Sequence, residues 1–277
     1  MPWVILFIVI TLLGAAGTIV NVNRVRFAAL LERERGHLHA VEASPIGYRE
    51  QSDLPAPVAR YRSLAVGARR PVRTLELHHG GDFFLKPDAR ASAIVGTQHF
   101  TADPPGFFWS ARIRMAPGVW LDARDECING IGSLKVLLDD TVEVANARGA
   151  LVDQGEALRL LAELPWYPTA MFDARTVTWG AIDEHHARAT LHLPALDVSA
   201  VFEFSDAGLP SSVKAQRYSD DGTLAPWGGV YSAFRRVSGM LVPFEVEVSW
   251  QRPTGPWRYA HWFVDSVAYD GEPVASE

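Results

Sequence analysis

In LVPFEVEVSW, residues 241–250, apolar and polar side chains alternate along most of the length, and this pattern indicates the fold. Every second side chain is apolar and would lie on one face of a strand: Phe244, Val246, Val248 and Trp250. A period of two is typical of a strand with one face buried and the other in water. Such strands build antiparallel sheets, whereas the strands of a parallel sheet are continuous apolar runs.

The same alternation recurs on both sides of this stretch, for example in FFWSARIRM (107–115) and LDVSAVFEF (196–204). Glycine and Asp-Gly pairs separate many of the candidate strands, as turns require. The pattern predicts strands near 73–79, 82–86, 91–101, 107–115, 118–127, 132–138, 175–182, 186–193, 196–204, 211–219, 229–236, 241–251 and 257–268.

Helical spacing occurs in two places among these strands. A short helix is predicted over about 55–66, with Asp53 as its N-cap. A longer helix is predicted between the two groups of strands, starting at a capping-box-like pair, Asp153 and Glu156, and ending at Pro165. The sequence LPWYPTAMFD (164–173) follows that helix, so its aromatic residues either plug the core or line a gap in it. The sequence thus predicts a meander, a helix and a second meander.

The first residues predict a membrane anchor. Trp3 to Val20 carry no charged side chain, and a helix of about 20 apolar residues spans a bilayer. Cleavage as a signal peptide at Ala15-Ala16-Gly17 is the alternative, but the first two residues lack Lys or Arg. The predicted organisation is an anchor (1–23), a stalk and linker (24–53), a single β-rich domain (54–270) and a tail (271–277). Arginines after the span favour a cytoplasmic domain, although they could equally solvate the stalk, so the side stays open.

Composition and motifs exclude several functions. A formal net charge of −6 argues against nucleic-acid binding, and the single Cys127 cannot form an internal disulfide. The chain lacks a nucleophile elbow, a phosphate loop and a zinc-binding helix. Adjacent histidines such as His78 and His79 point to opposite faces of a strand and cannot hold one ion together. We therefore predict no catalytic residue, no metal and no cofactor.

One basic segment departs from the acidic average. Residues 54–75 carry five arginines and no acid: Arg60, Arg62, Arg69, Arg70 and Arg73. Each basic residue close to an anionic membrane contributes about 1 kcal/mol of binding. We predict that these arginines face the membrane, with an ordinary solvated face as the alternative.

Longer stretches resemble a known family. TADPPGFFWSARIRMAPG, ALRLLAELPWYPTAM, FSDAGLPSSVKAQRYSDDG and APWGGVYSAFRRVSGMLVPFEVEVSW together look like a bacterial membrane-anchored family of unknown function, over residues 54–268. More distantly, the chain resembles lipoprotein-carrier domains of the Lol type. That resemblance rests on Phe202 to Gly208 and on a later pattern: Phe234, Val237, Gly239 and Pro243.

The distant resemblance implies a fold and a function. It implies a mainly β (α+β) fold, a curved antiparallel sheet or half-barrel with a helical lid inserted between the meanders. Such a fold implies an apolar concavity that would hold a lipid or other apolar small molecule. The aromatic and apolar residues that we expect to line it are Trp109, Trp166, Tyr167, Met171, Phe202, Phe244 and Trp250.

The predicted function is a membrane-tethered domain that binds such a ligand without catalysis. Two alternatives stay open: an enzyme that acts on an apolar substrate in the same cavity, and an envelope scaffold with a filled core. The sequence does not identify protein partners.

Overall fold

A computed structural model describes residues 17, 18, 20–33, 36, 47–66 and 71–271 of the chain. Residues 20–33 are helical. The helices that follow are α1 (Ala56–Ala65), α2 (Ala150–Glu163) and α3 (Pro168–Met171), with a 3-10 turn at Leu164–Trp166. The strands are β1 (Thr74–Phe83), β2 (Ser92–Ala102), β3 (Pro105–Ala116), β4 (Val119–Ile128), β5 (Ile131–Leu138), β6 (Val142–Arg148), β7 (Val177–Ala181), β8 (His186–His192), β9 (Asp197–Phe204), β10 (Pro210–Tyr218), β11 (Leu224–Ser232), β12 (Arg235–Val237), β13 (Met240–Val242), β14 (Glu245–Arg252) and β15 (Gly255–Tyr269).

These strands form one large antiparallel sheet and a small hairpin. The sheet has 13 strands in the order β6-β5-β4-β3-β2-β1-β15-β14-β11-β10-β9-β8-β7, and β12 pairs with β13 apart from it. The pairing of β1 with β15 joins the first meander to the second. The predicted mainly β fold, with a helix between two meanders, is confirmed. The sheet is open, with β6 and β7 at its edges.

The sheet curls around α2, which contacts strands near both edges. The helix contacts β4, β5 and β6 on one side and β8, β9 and β10 on the other. At about 4.8 Å per strand, β4 and β10 would lie roughly 34 Å apart in a flat sheet, whereas a helix is only about 10–12 Å across. The sheet must therefore be curled for both strands to contact α2. The turn before β5 also reaches the turn before β9, since a Cβ on Gly130 would lie 2.9 Å from Leu196 Cδ2.

The inner face of the curled sheet and α2 form the core. Val246 and Val248 of β14 are buried there, as the alternation predicts. Glu245 and Glu247 lie on the outer face, where they pair with His261 and Arg258. Helix α2 is buried on most sides because the sheet surrounds it.

The segment LPWYPTAMFD (164–173), called the joint below, connects the helical layer to the sheet. Pro165 lies in the 3-10 turn after α2, and Pro168 begins α3. The indole N–H of Trp166 donates to the Pro243 carbonyl at 2.8 Å, and the hydroxyl of Tyr167 donates to the Val72 carbonyl at 2.8 Å. Both aromatic residues are buried and belong to the core cluster.

Some predicted strand boundaries are wrong. Strand β1 continues through Gly80 and Gly81, where a turn was predicted. A Cβ on Gly81 would lie 2.2 Å from the His261 carbonyl oxygen, so glycine at this position lets β1 and β15 lie close together. Strand β6 was not predicted, because it is an exposed edge without a buried apolar face. Strand β11 begins at Leu224, earlier than predicted.

Both predicted helix caps are also wrong. Helix α2 begins at Ala150 with Gly149 as its N-cap, and α1 begins after Pro55 without a side-chain cap. Asp153 lies inside α2, where its carboxylate accepts a hydrogen bond from the Gly132 amide at 2.7 Å.

The predicted anchor falls mostly outside the described residues. Within the part of the chain that the structure describes, no helix is long and apolar enough to cross a membrane. The predicted stalk contacts the domain, since Arg24 pairs with Asp140 at 3.0 Å and Phe27 is buried.

Candidate functional site: a groove at a break in the sheet

The sheet contains a break between β9 and β10. Their pairing ends at Val201 and Lys214, although β9 extends back to Asp197 and β10 continues to Tyr218. Beyond these residues β9 stays paired with β8 on its other side, and β10 stays paired with β11 on its other side. The two strands therefore separate over 197–200 and 215–218.

A groove of about 860 Å³ occupies this break. Its floor is apolar and reaches through the break to α2: Leu158, Val198, Ala200, Val213 and Trp227. Its rim is polar and includes Arg188, Lys214, Gln216 and Gln251. The groove therefore combines an apolar floor, which lies in the inner layer, with a polar mouth on the outer face.

Helix α2 enters the break with a polar side chain. The amide of Gln154 donates to the Gln216 carbonyl at 2.8 Å and accepts from the Tyr218 backbone N–H at 3.2 Å. Because Gln154 also lines the groove, one side chain both satisfies two backbone groups on the free edge of β10 and shapes the site.

A buried charged cluster lies on the other side of α2. The Arg159 guanidinium donates to Asp125 at 2.6 Å, to Glu163 at 2.8 Å and to Gln98 at 3.1 Å. It also lies over the ring of Trp109, 4.7 Å from the centroid. The cluster ties α2 to strands β2, β3 and β4.

Glu156 and Arg217 link this cluster to the groove. They pair at 3.2 Å, and the Arg217 guanidinium lies 5.0 Å from the ring centroid of the groove residue Trp227. Burial, followed by the nearby charge of Asp125, raises the pKa of Glu156 to about 7. Burial also raises the pKa of Asp125. Among the described residues, Glu156 Oε2 and Asp125 Oδ1 have no hydrogen-bond partner.

The predicted lining residues lie apart from the groove. Trp109, Trp166, Tyr167, Met171 and Phe202 are buried in the core cluster, and Phe244 and Trp250 pack against it while partly exposed. Two of them are cross-strand partners of groove residues: Phe202 pairs with Val213, and Trp250 pairs with Trp227. The role of the seven in ligand binding stays a prediction.

The described arginines of the basic segment have local partners. Arg60 donates to the Glu184 carbonyl at 3.0 Å, and Arg62 forms an ion pair with Glu50. Arg73 precedes β1, where its backbone N–H donates to Asp270. Arg69 and Arg70 lie outside the described residues. The predicted contact with a membrane stays a prediction.

The sequence prediction missed the groove because β9 and β10 keep intact alternation on both sides of the break. The available signal was the run Asp153-Gln154-Gly155-Glu156, which places three polar side chains close together in a mostly apolar helix. That run would have shown that α2 meets polar groups inside the fold.

The sequence of the chain matches a known protein family. A model of a family of unknown function (DUF6544) matches residues 45–262, so the predicted resemblance to such a family is confirmed. No curated protein matches the chain.

Similar solved structures include a LolA superfamily protein from Nitrosomonas europaea, with 10% identity, a TM-score of 0.40, and coverage of 80% of this chain and 96% of that chain. A DUF1329 family protein from Desulfovibrio piger has 11% identity, a TM-score of 0.41, and coverage of 78% and 95%. A β-barrel-like protein of the domain of unknown function DUF1849 from Brucella abortus has 9% identity, a TM-score of 0.31, and coverage of 73% and 100%.

Proposed function

We propose that this chain, which belongs to the DUF6544 family of unknown function, is a binding domain that holds an apolar or lipid-like molecule in the groove between β9 and β10. The observation that carries the proposal is the apolar floor formed by Leu158, Val198 and Trp227 within about 860 Å³. Ligand pockets for small molecules commonly measure about 300–1,000 Å³ and have mostly apolar walls with a few polar groups.

The polar rim supports an amphiphilic ligand. Lys214 is largely exposed at the rim, with 72% of its side chain accessible, and Arg188 is exposed beside it. An apolar chain would bury the floor, and each buried CH₂ group would contribute about 0.8 kcal/mol. The polar head of the same molecule would stay in water near these cations.

The proposal includes tethering to a membrane. The apolar segment Trp3 to Val20 supports it, and the helix at 20–33 would connect that segment to the domain through Arg24 and Phe27. The basic segment around Arg60 and Arg73 would face the lipid surface. A tethered domain would meet its ligand at the bilayer at a high effective concentration.

The proposal also includes two of the residues that the sequence predicted to line the ligand cavity. Phe202 and Trp250 are cross-strand partners of the groove residues Val213 and Trp227, so they lie beside the floor on the neighbouring strands.

Native mass spectrometry of the full-length protein tests the proposal, with and without added palmitate. The variant Ala215→Trp places a large ring in the groove, whereas Ala181→Trp makes the same change on the exposed edge strand β7. We expect one bound palmitate per protein molecule in the wild type and in Ala181→Trp. In Ala215→Trp we expect palmitate to bind at least tenfold more weakly. Equal binding by both variants, or no uptake by the wild type, would contradict the proposal.

The buried carboxyl groups favour a second candidate function, catalysis on an apolar substrate. Asp125 and Glu156 both have raised pKa values and each has an oxygen without a partner among the described residues. Perturbed carboxyl groups of this kind are common in catalytic sites. Hydrolysis of p-nitrophenyl esters that is lost in Glu156→Gln would support an enzyme, and rates equal to buffer would contradict ester hydrolysis.

A further inference from the structure

The edge of β10 is held by a side chain where a strand would be expected. The last paired residues of β9 and β10 are Val201 and Lys214, so the same register would bring Ser199 opposite Gln216 and Asp197 opposite Tyr218. In an antiparallel ladder, alternate residues direct both backbone groups to the same neighbour. The Gln216 carbonyl and the Tyr218 N–H both bond Gln154, so these groups point into the break.

The Gln154 amide has the chemistry of the peptide unit that it replaces. It offers one N–H donor to Gln216 and one carbonyl acceptor to Tyr218, as Ser199 and Asp197 of β9 would do in a complete ladder. A primary amide carries a donor N–H and an acceptor oxygen on one side chain, as a peptide unit does. Two groups on this edge of β10, the Gln216 carbonyl and the Tyr218 N–H, are therefore satisfied without β9.

The neighbouring residues of α2 hold the same segment of β10 from inside. Glu156 accepts from Arg217 at 3.2 Å. A Cβ on Gly155 would lie 3.0 Å from Arg217 Nε, so glycine lets the helix backbone lie directly against this side chain. Arg217 in turn lies over Trp227. Residues 154–156 thus bind three consecutive residues of β10, from Gln216 to Tyr218.

We propose that Gln154 is the positioning residue of the groove, because it takes the place of β9 along β10 and so keeps the two strands apart. This inference rests on the proposed function, since it concerns the same groove. Without the amide, Ser199 and Asp197 provide the remaining matching groups for Gln216 and Tyr218. Strands β9 and β10 would then pair along 197–200 and 215–218 and cover the floor at Leu158.

The test replaces the amide by an apolar group of similar size. Gln154→Leu removes both hydrogen bonds, and Gln154→Glu keeps the acceptor for Tyr218 but removes the donor to Gln216. The matched control is Asn146→Leu, which replaces an amide side chain by leucine on the exposed edge strand β6, outside the groove. Residue-resolved hydrogen exchange of the full-length protein reports the backbone amides of Ser199 and Gln216, and titration with cis-parinaric acid reports binding in the groove.

We expect the Ser199 and Gln216 amides to exchange at least tenfold more slowly in Gln154→Leu, because they gain partners across the closed ladder. The affinity for cis-parinaric acid should fall at least tenfold in Gln154→Leu and by less in Gln154→Glu, whereas Asn146→Leu should change neither readout. Faster exchange of these amides, or unchanged affinity in Gln154→Leu, would overturn the inference, because a merely structural glutamine loosens the segment.

The two proposals fail in different ways. If the wild type binds no probe, the proposed function is wrong, but the exchange of Ser199 and Gln216 in Gln154→Leu still decides whether Gln154 holds the strands apart. If the wild type binds the probe and exchange in Gln154→Leu does not slow, only the positioning role is wrong.

Discussion

Replacing Glu156 by glutamine should stabilise the protein at alkaline pH, although it removes one partner of an ion pair. Glu156 is 3% exposed, and its pKa is raised from 4.5 to about 7, first by burial and then by the charge of Asp125. The folded protein therefore holds a proton on Glu156 at pH values where the unfolded chain has released it. Stability from this group is fully present below the unfolded pKa and is lost as pH rises through about 7.

The expected magnitude follows from the size of the shift. One pKa unit corresponds to about 1.36 kcal/mol, so the raised pKa of Glu156 corresponds to about 3 kcal/mol between the two protonation states. Glutamine resembles the protonated side chain at every pH. Glu156→Gln should therefore match the wild type near pH 5 and exceed its free energy of unfolding by about 3 kcal/mol near pH 8.

Urea denaturation at intervals from pH 5 to pH 8 measures this difference directly. Glu184→Gln is the control, because it removes an exposed carboxylate and should give a small difference at every pH. A difference for Glu156→Gln that stays constant across the range, or a variant that is less stable than the wild type at pH 8, would refute the reasoning.

Three further substitutions test other parts of the fold. Burial lowers the pKa of His79 to about 4, so the wild type should lose about 3 kcal/mol as pH falls from 6.5 through 4, and His79→Gln should remove that dependence in urea titrations. Trp166→Phe should cost about 1–3 kcal/mol, because it leaves the Pro243 carbonyl without its donor, and thermal unfolding would measure the loss. Gly130→Ala should cost at least about 1 kcal/mol in urea unfolding, because Gly130 has φ 83° and an added Cβ would meet Leu196; an unchanged stability would contradict the contact across the curl.

The sequence predicted the strands where a local period is sufficient. Val246 and Val248 are buried as their alternation requires, and the helix between the meanders lies close to its predicted position. Its start was misplaced because Asp153 satisfies the Gly132 amide of β5 instead of capping the helix. A contact between residues so distant in the chain leaves no local pattern.

Sequence patterns also missed the groove, because it is formed by contacts between residues that are distant in the chain. Val198 and Ala200 of β9, and Val213 and Ala215 of β10, alternate as in an unbroken pair of strands. At the break, Gln154 bonds the free edge of β10, and this residue belongs to a helix between the meanders. The predicted aromatic residues, such as Trp166 and Tyr167, were selected for size and apolarity, and the same properties fill a core.

Photolabelling can locate a bound apolar chain at the level of single residues. The full-length protein would be incubated with a diazirine-bearing palmitate, irradiated, digested and sequenced by mass spectrometry to locate the labelled residues. We expect labels on the groove floor, at Leu158, Val198 and Trp227. Labels confined to the joint at Trp166, Tyr167 and Met171, or a protein without labels, would contradict a ligand held between β9 and β10.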